Sequence, residues 1–246
     1  MGLPQVAVPE YILTLPSTGE DIKYRPFLVK EEKLLLMAAE TKDEVQIVNA
    51  TRQVIKNCLF TELDVDKLPI FDIEYIFLWL RGKAKGEEIE LKVDCPKCES
   101  NINIKINIEN INVVGIDNHT TKIELTDEVG IVMKYPTIIL QTKIEQIQNN
   151  DKTAIESLFE SIALCIDYIY DKENTYSDKD HTKKEIIEFL ESLTDDQFQN
   201  ISKFFEDMPK VSHKIDITCS NKKEGSKKIC GHKETLVLEG LQSFFG

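Results

Sequence analysis

The stretch Glu87 to Ile108, EEIELKVDCPKCESNINIKINI, constrains the fold of this chain most. Two runs of alternating apolar and polar residues flank Cys95-Pro96-Lys97-Cys98, and a period of two is the mark of a half-buried strand. A strand that enters C-x-x-C and leaves as a strand is the sequence form of a zinc knuckle, because the short turn aims two thiolates at one point. Two thiolates do not close a site. The run Val211 to Leu238 offers the other half, with strand-like HKIDIT before Cys219, a polar loop, Cys230, and strand-like ETLVLEG. If the two hairpins face each other, Cys95, Cys98, Cys219 and Cys230 surround one structural zinc per chain. The second pair encloses SNKKEGSKKI, longer than the usual two to four residues, so this lysine-rich loop must bulge outward while its ends stay together. His213 and His232 stand near enough in sequence to replace a cysteine, although an ordinary strand histidine is the plainer reading of each. A closed four-thiolate site leaves no position for water and so implies architecture rather than hydrolysis.

Composition narrows the classes. At 246 residues and 41% hydrophobic, the chain can bury a sizeable core. Its net charge of -13 and pI near 4.9 oppose attraction to phosphate backbones. Apolar runs such as Ile76 to Leu80 fall far short of the roughly 20 residues of a membrane span, and the amino terminus has neither a basic nor a long apolar signal region. These features read as a soluble chain made in a reducing compartment, where its six cysteines serve metal ligation or burial rather than disulfides. Cys58 and Cys165 fall on or beside apolar helical stripes and read as small buried hydrophobes.

The order of predicted elements gives an α+β fold: an N-terminal β-hairpin, a helical core, and the two cysteine hairpins brought together in a zinc-ribbon-like lobe. Tyr11–Leu15 and Ile22–Phe27 form the first hairpin around a Pro/Ser/Gly turn. Helices follow over Lys30–Ala39, from an Asp43 cap to Leu59 with Val45, Val48, Ile55 and Leu59 inward, and over Ile70–Arg81, with Gly82 or Gly86 as the stop. Strands are expected near Thr121–Leu125 and Val129–Tyr135, then helices over Pro136–Gln146 and Thr153–Tyr170, a surface loop over Asp171–Asp180, and two helices capped by Thr182 and Thr194. The segments are 1–86, 87–135, 136–210 and 211–246, intertwined as one domain with a zinc lobe. The terminal Phe244-Phe245 pair is of a kind that packs or docks.

Catalytic patterns are missing: the chain has no H-E-x-x-H, G-x-S-x-G or P-loop. Asp64-Val65-Asp66 starts like a calcium loop but has Pro69 at the position of the required glycine. Asp72 and Glu74, two apart on a helix, point to different sides and read as a solvated or ion-paired face. No enzyme is expected, and no catalytic residue is assigned.

At Tyr24–Leu36, YRPFLVKEEKLLL, and again at Phe71–Leu78, FDIEYIFL, with Arg81, the chain resembles the baseplate hub subunit and hub-assembly proteins of T-even-type contractile-tailed phages. The resemblance is best over residues 20–110. It implies a viral late protein that acts through contacts with other hub and tail proteins, located in the virion baseplate or in the host cytoplasm during assembly, with self-association open. It supplies no functional residues. The rival reading is a zinc-ribbon nucleic-acid or transcription adaptor, supported by Lys222, Lys223, Lys227, Lys228 and Lys233 and opposed by the acidity of the rest of the chain.

Overall fold

Every described strand pairs antiparallel in this computed structural model, which describes residues 6–148, 153–177, 179–221, 229–240 and 243. In chain order the elements are β1 (Tyr11–Thr14), β2 (Asp21–Tyr24), α1 (Val29–Thr41), α2 (Glu44–Cys58), α3 (Ile70–Lys85), β3 (Glu88–Asp94), β4 (Asn101–Asn107) and β5 (Asn112–Val114). Then come β6 (Lys122–Glu124), β7 (Gly130–Met133), α4 (Ile138–Gln148), α5 (Ala154–Leu164), β8 (Ile166–Tyr170) and β9 (Thr175–Ser177). The chain continues with α6 (Lys183–Glu191), α7 (Asp195–Glu206), β10 (Lys210–Thr218) and β11 (Lys233–Glu239). The fold is α+β. Two compact units share it, one of residues 1–65, 71–114 and 210–246, the other of 66–70 and 115–209.

In the first unit, β1 and β2 pair with Tyr11 opposite Tyr24. The next residue, Arg25, turns inward and meets Glu31 of α1, Nη2 to Oε1 at 3.0 Å, while Glu31 also accepts the Leu28 N–H at 2.9 Å. Glu31, an acid in the first turn of α1, is thus a buried ion-pair partner. Asp43 caps α2, accepting the N–H groups of Val45 and Gln46. The inner face of α2 differs from expectation: Ala50, Val54, Ile55 and Cys58 are buried and Val45 is exposed, because helical spacing fits two overlapping stripes and burial selects the one running by fours. Gly86, at φ +109°, ends α3, whereas Gly82 lies inside it. A β-carbon at Gly82 would stand 2.1 Å from Ile108 Cδ1, so the glycine admits a core side chain to the helix.

Asp72 corrects the sequence reading outright. It is fully buried, and its carboxylate accepts the backbone N–H of Ser17 at 3.1 Å and the Ser17 hydroxyl. The carboxylate ties α3 to the β1–β2 turn, a contact 55 residues distant that helical spacing cannot foresee.

The β3–β4 hairpin runs from Glu88 opposite Asn107 to Asp94 opposite Asn101. A three-stranded sheet, β11-β10-β5, joins it in one core with Leu78, Ile89, Leu91, Ile104, Ile106 and Ile217. β5 was not expected. Its short NVV run gains strand form by pairing Val114 with Lys210 and Asn112 with Ser212.

The second unit sets a four-stranded sheet, β6-β7-β8-β9, with α4 to α7 around a core that includes Ile131, Met133, Ile162, Ile166, Leu190 and Ile201. The helix expected over Thr153–Tyr170 stops at Leu164. Its last five residues, IDYIY, form β8, with Ile169 opposite Ile131 of β7. Ile166 and Ile169 suit either period; the β-branched and aromatic content and an available strand partner decide. The expected surface loop also holds β9, since Asp171 Oδ1 accepts the N–H groups of Glu173 and Asn174 and turns the chain back. Thr182 and Thr194 cap α6 and α7, each in a capping box. Cys58 and Cys165 are buried, and burial pushes their thiols up to about 11 and about 12.

Candidate metal centre

Each cysteine pair is positioned by the ends of its own hairpin. After β3, Cys95 donates its N–H to Ser100 O at 3.0 Å and accepts from Glu99 N at 2.8 Å, with Glu99 left-handed at φ 57°. This tight turn swings Cys98 back beneath Cys95. After β10, Cys219 donates to His232 O at 2.8 Å and accepts from Gly231 N at 3.0 Å. Gly231, at φ +62°, takes the corresponding left-handed place behind Cys230, a conformation that costs glycine little. Thr218 pairs with Lys233, so the ends of the second hairpin lie together. Residues 222–228, with four of the lysines weighed above, lie outside the described residues, as do Phe244 and Phe245.

The four sulfurs of Cys95, Cys98, Cys219 and Cys230 lie within 4.8 Å of one another. Two approaches join the hairpins: Cys95 Sγ to Cys230 Sγ is 3.9 Å, and Cys98 Sγ to Cys219 Sγ is 3.6 Å. A disulfide needs about 2.05 Å, so all are free thiols. A tetrahedron of sulfurs about 2.3 Å from a zinc ion has edges of about 3.8 Å, and the two cross-hairpin distances straddle that value. Asn221 Nδ2 adds a hydrogen bond to Asn101 O at 3.0 Å, tying the two hairpins directly. Cys95 and Cys219 are wholly buried, and Cys98 and Cys230 are half-buried.

The electrostatics of the sulfurs diverge. Hydrogen bonds from the Ser100 side chain and then its backbone draw the Cys98 thiol down to about 6. Burial pushes Cys219 up to about 12. Four thiolates this close repel one another unless a cation sits among them, and a soft dication is the species that four sulfur ligands select. His213 and His232 are engaged elsewhere, Nδ1 of the first with Asn110 O at 3.0 Å and Nε2 of the second with Glu234 at 3.4 Å. Sequence reasoning had not singled out Ser100, Asn221 or Gly231. Of these only Gly231 carried a signal, a glycine directly after a ligand-spaced cysteine.

The family is decided by a comparison over the chain. A family model described as T4 bacteriophage base plate protein matches residues 8–246. The chain belongs to that family. As a T4-type base plate protein it is a structural component of the phage tail, and its partners are other tail proteins. Searches of curated proteins and of solved structures return no match. The two stretches that carried the resemblance are packing signatures in this base plate protein: Tyr24, Phe71, Ile73, Ile76 and Leu78 are all buried. No helix among the described residues is long and apolar enough to cross a membrane.

Proposed function

We propose that this base plate protein serves the central hub of the tail, as a subunit or an assembly factor, and that Cys95, Cys98, Cys219 and Cys230 hold one structural zinc. The observation that carries the zinc reading is the convergence of four thiols within 4.8 Å from hairpins more than a hundred residues apart in sequence. An ion there closes a loop that runs out along β5, through residues 115–209, and back along β10. Such closure removes conformational freedom from the unfolded chain, and structural zinc contributes on the order of 10 kcal/mol of apparent free energy in small domains. The hub placement is supported by the resemblance at Tyr24–Leu36 and Phe71–Leu78 within a family of base plate proteins.

The clamp keeps a contact surface rigid, and the chain works by binding, without turnover. Elemental analysis of protein purified without chelator tests the zinc, with about one ion per chain expected and a metal-free chain overturning it. Fractionation of tail intermediates from infected cells, read by mass spectrometry, tests the placement. The protein is expected in hub intermediates, and its confinement to peripheral base plate pieces would refute the hub role.

A further inference from the structure

The second unit contains a cavity of about 330 Å³ that the metal centre does not explain. Its floor is apolar, made by Ile169 of β8 with Ile186 and Phe189 of α6, and Tyr176 of β9 stands at its side. Asp171 and Glu185 add two carboxylates, and Val129, Tyr170 and His181 complete the lining. Each is fixed by the local fold. Asp171 Oδ2 accepts the Tyr176 hydroxyl at 2.7 Å, and Oδ1 takes the two turn N–H groups. Glu185 Oε2 accepts the N–H and hydroxyl of Thr182 at 2.7 and 2.8 Å. Hydrogen bonding favours the charged form, so both hold below the ordinary carboxylate range, Asp171 chiefly through Tyr176 and Glu185 chiefly through the Thr182 backbone.

His181, on the cavity wall, stands edge-on to the Tyr176 ring at 5.5 Å and is the smallest influence on Glu185, and the neighbouring lysines pair elsewhere. Lys172 pairs with Glu128, Lys183 with Glu160 and Lys184 with Glu188. Lys122 lies over the Tyr170 ring at 5.2 Å and bonds Glu124. Among the described residues no lysine or arginine pairs with Asp171 or Glu185. An apolar floor, an aromatic side and two ionised carboxylates are complementary to one kind of side chain, an alkyl stem that ends in a cation.

We propose that this cavity docks a basic segment of another tail protein, anchored by an arginine. Its methylenes lie on Ile169, Ile186 and Phe189, and its guanidinium meets Asp171 and Glu185. Arginine suits the place better than lysine because its planar fork pairs with carboxylates and stacks on rings. The inference rests on the reading that the chain works through contacts with other base plate proteins, and it adds where one contact lies and what chemistry it selects.

The test titrates acetyl-Leu-Arg-Leu-amide, and the same peptide with uncharged citrulline, into the full chain with its isoleucine methyl groups labelled for NMR. The arginine peptide is expected to shift the Ile169 and Ile186 resonances at millimolar concentration, with the citrulline peptide about tenfold weaker. Glu185→Gln retains the helix cap, since glutamine also serves at that position, and is expected to lower arginine affinity several-fold while leaving citrulline binding unchanged. Equal affinity for the two peptides, indifference to Glu185→Gln, or no shift with either peptide at roughly 10 mM overturns the proposal. These readouts do not depend on location in the tail: failure of the hub placement leaves a positive titration standing, and a failed titration leaves the hub fractionation untouched.

Discussion

Replacing Arg25 with Met should cost this protein far more than the loss of a surface ion pair. Arg25 bonds Glu31 at 3.0 and 3.4 Å, the Pro26 carbonyl at 3.0 Å and the Asn57 carbonyl at 2.9 Å, and the Glu31 side chain is only 1% exposed. The substitution strands a buried carboxylate whose remaining partners are the Leu28 N–H and an exposed Lys30 at 3.4 Å, and it orphans two carbonyls. Breaking one side of such a pair costs about 3–5 kcal/mol, against about 0–1 for an exposed one. At a urea dependence of about 2 kcal/mol/M this moves the midpoint down by roughly 1.5–2.5 M. The chain's single tryptophan, Trp79, lies on α3 in the same unit, so its fluorescence reports the transition. Replacing both partners, Arg25→Met with Glu31→Leu, should recover most of the loss, because a packed apolar pair leaves no charge unpaired. The pH dependence has a definite sign. Burial alone would raise the Glu31 carboxyl, but the Arg25 hydrogen bonds and then the Leu28 N–H outweigh it and hold it below the usual range. Its stabilisation is therefore present above the unfolded value of about 4.3 and is lost as pH falls through the lower folded value, a dependence the double variant lacks. A midpoint shift under roughly 0.5 M, or a double variant no better than Arg25→Met, would refute the account.

If the four cysteines hold the proposed zinc, its removal should loosen both hairpins together: Cys98→Ser or a strong chelator is expected to raise amide exchange across β3, β4, β10 and β11, and acid should do the same by protonating the thiolates that would hold the metal; exchange confined to one hairpin would contradict the shared site. Gly82→Ala, despite the better helix propensity of alanine, should destabilise by about 1–3 kcal/mol through overpacking against Ile108. Adding Ile108→Val removes the atom at 2.1 Å and should recover part of that loss in urea unfolding. Thr194→Ala removes the hydroxyl that accepts from Gln197 N and should cost about 1 kcal/mol, read as a lower thermal midpoint.

Local rules determined much of this protein from sequence. The alternation around Cys95 and Cys98 became β3 and β4, Asp43, Thr182 and Thr194 became helix caps, and HKIDIT and ETLVLEG became paired strands. These features depend on neighbours within a few residues, where periodicity and capping chemistry act directly. The cysteine set was also legible, because thiol spacing and flanking strands restrict where sulfurs can point. Tertiary structure alone decided three things. It turned IDYIY from the end of a helix into β8, since the two periods fit these five residues equally and β7 supplied the partner that let their β-branched and aromatic content prevail. It made Asp72 and Glu31 buried anchors, because the groups that neutralise their desolvation, Ser17 and Arg25, come from other elements. It brought Cys95 and Cys98 to Cys219 and Cys230 across a long insertion. Sequence names the possible partners of a polar group, whereas burial, a property of the whole fold, determines which partner it must have.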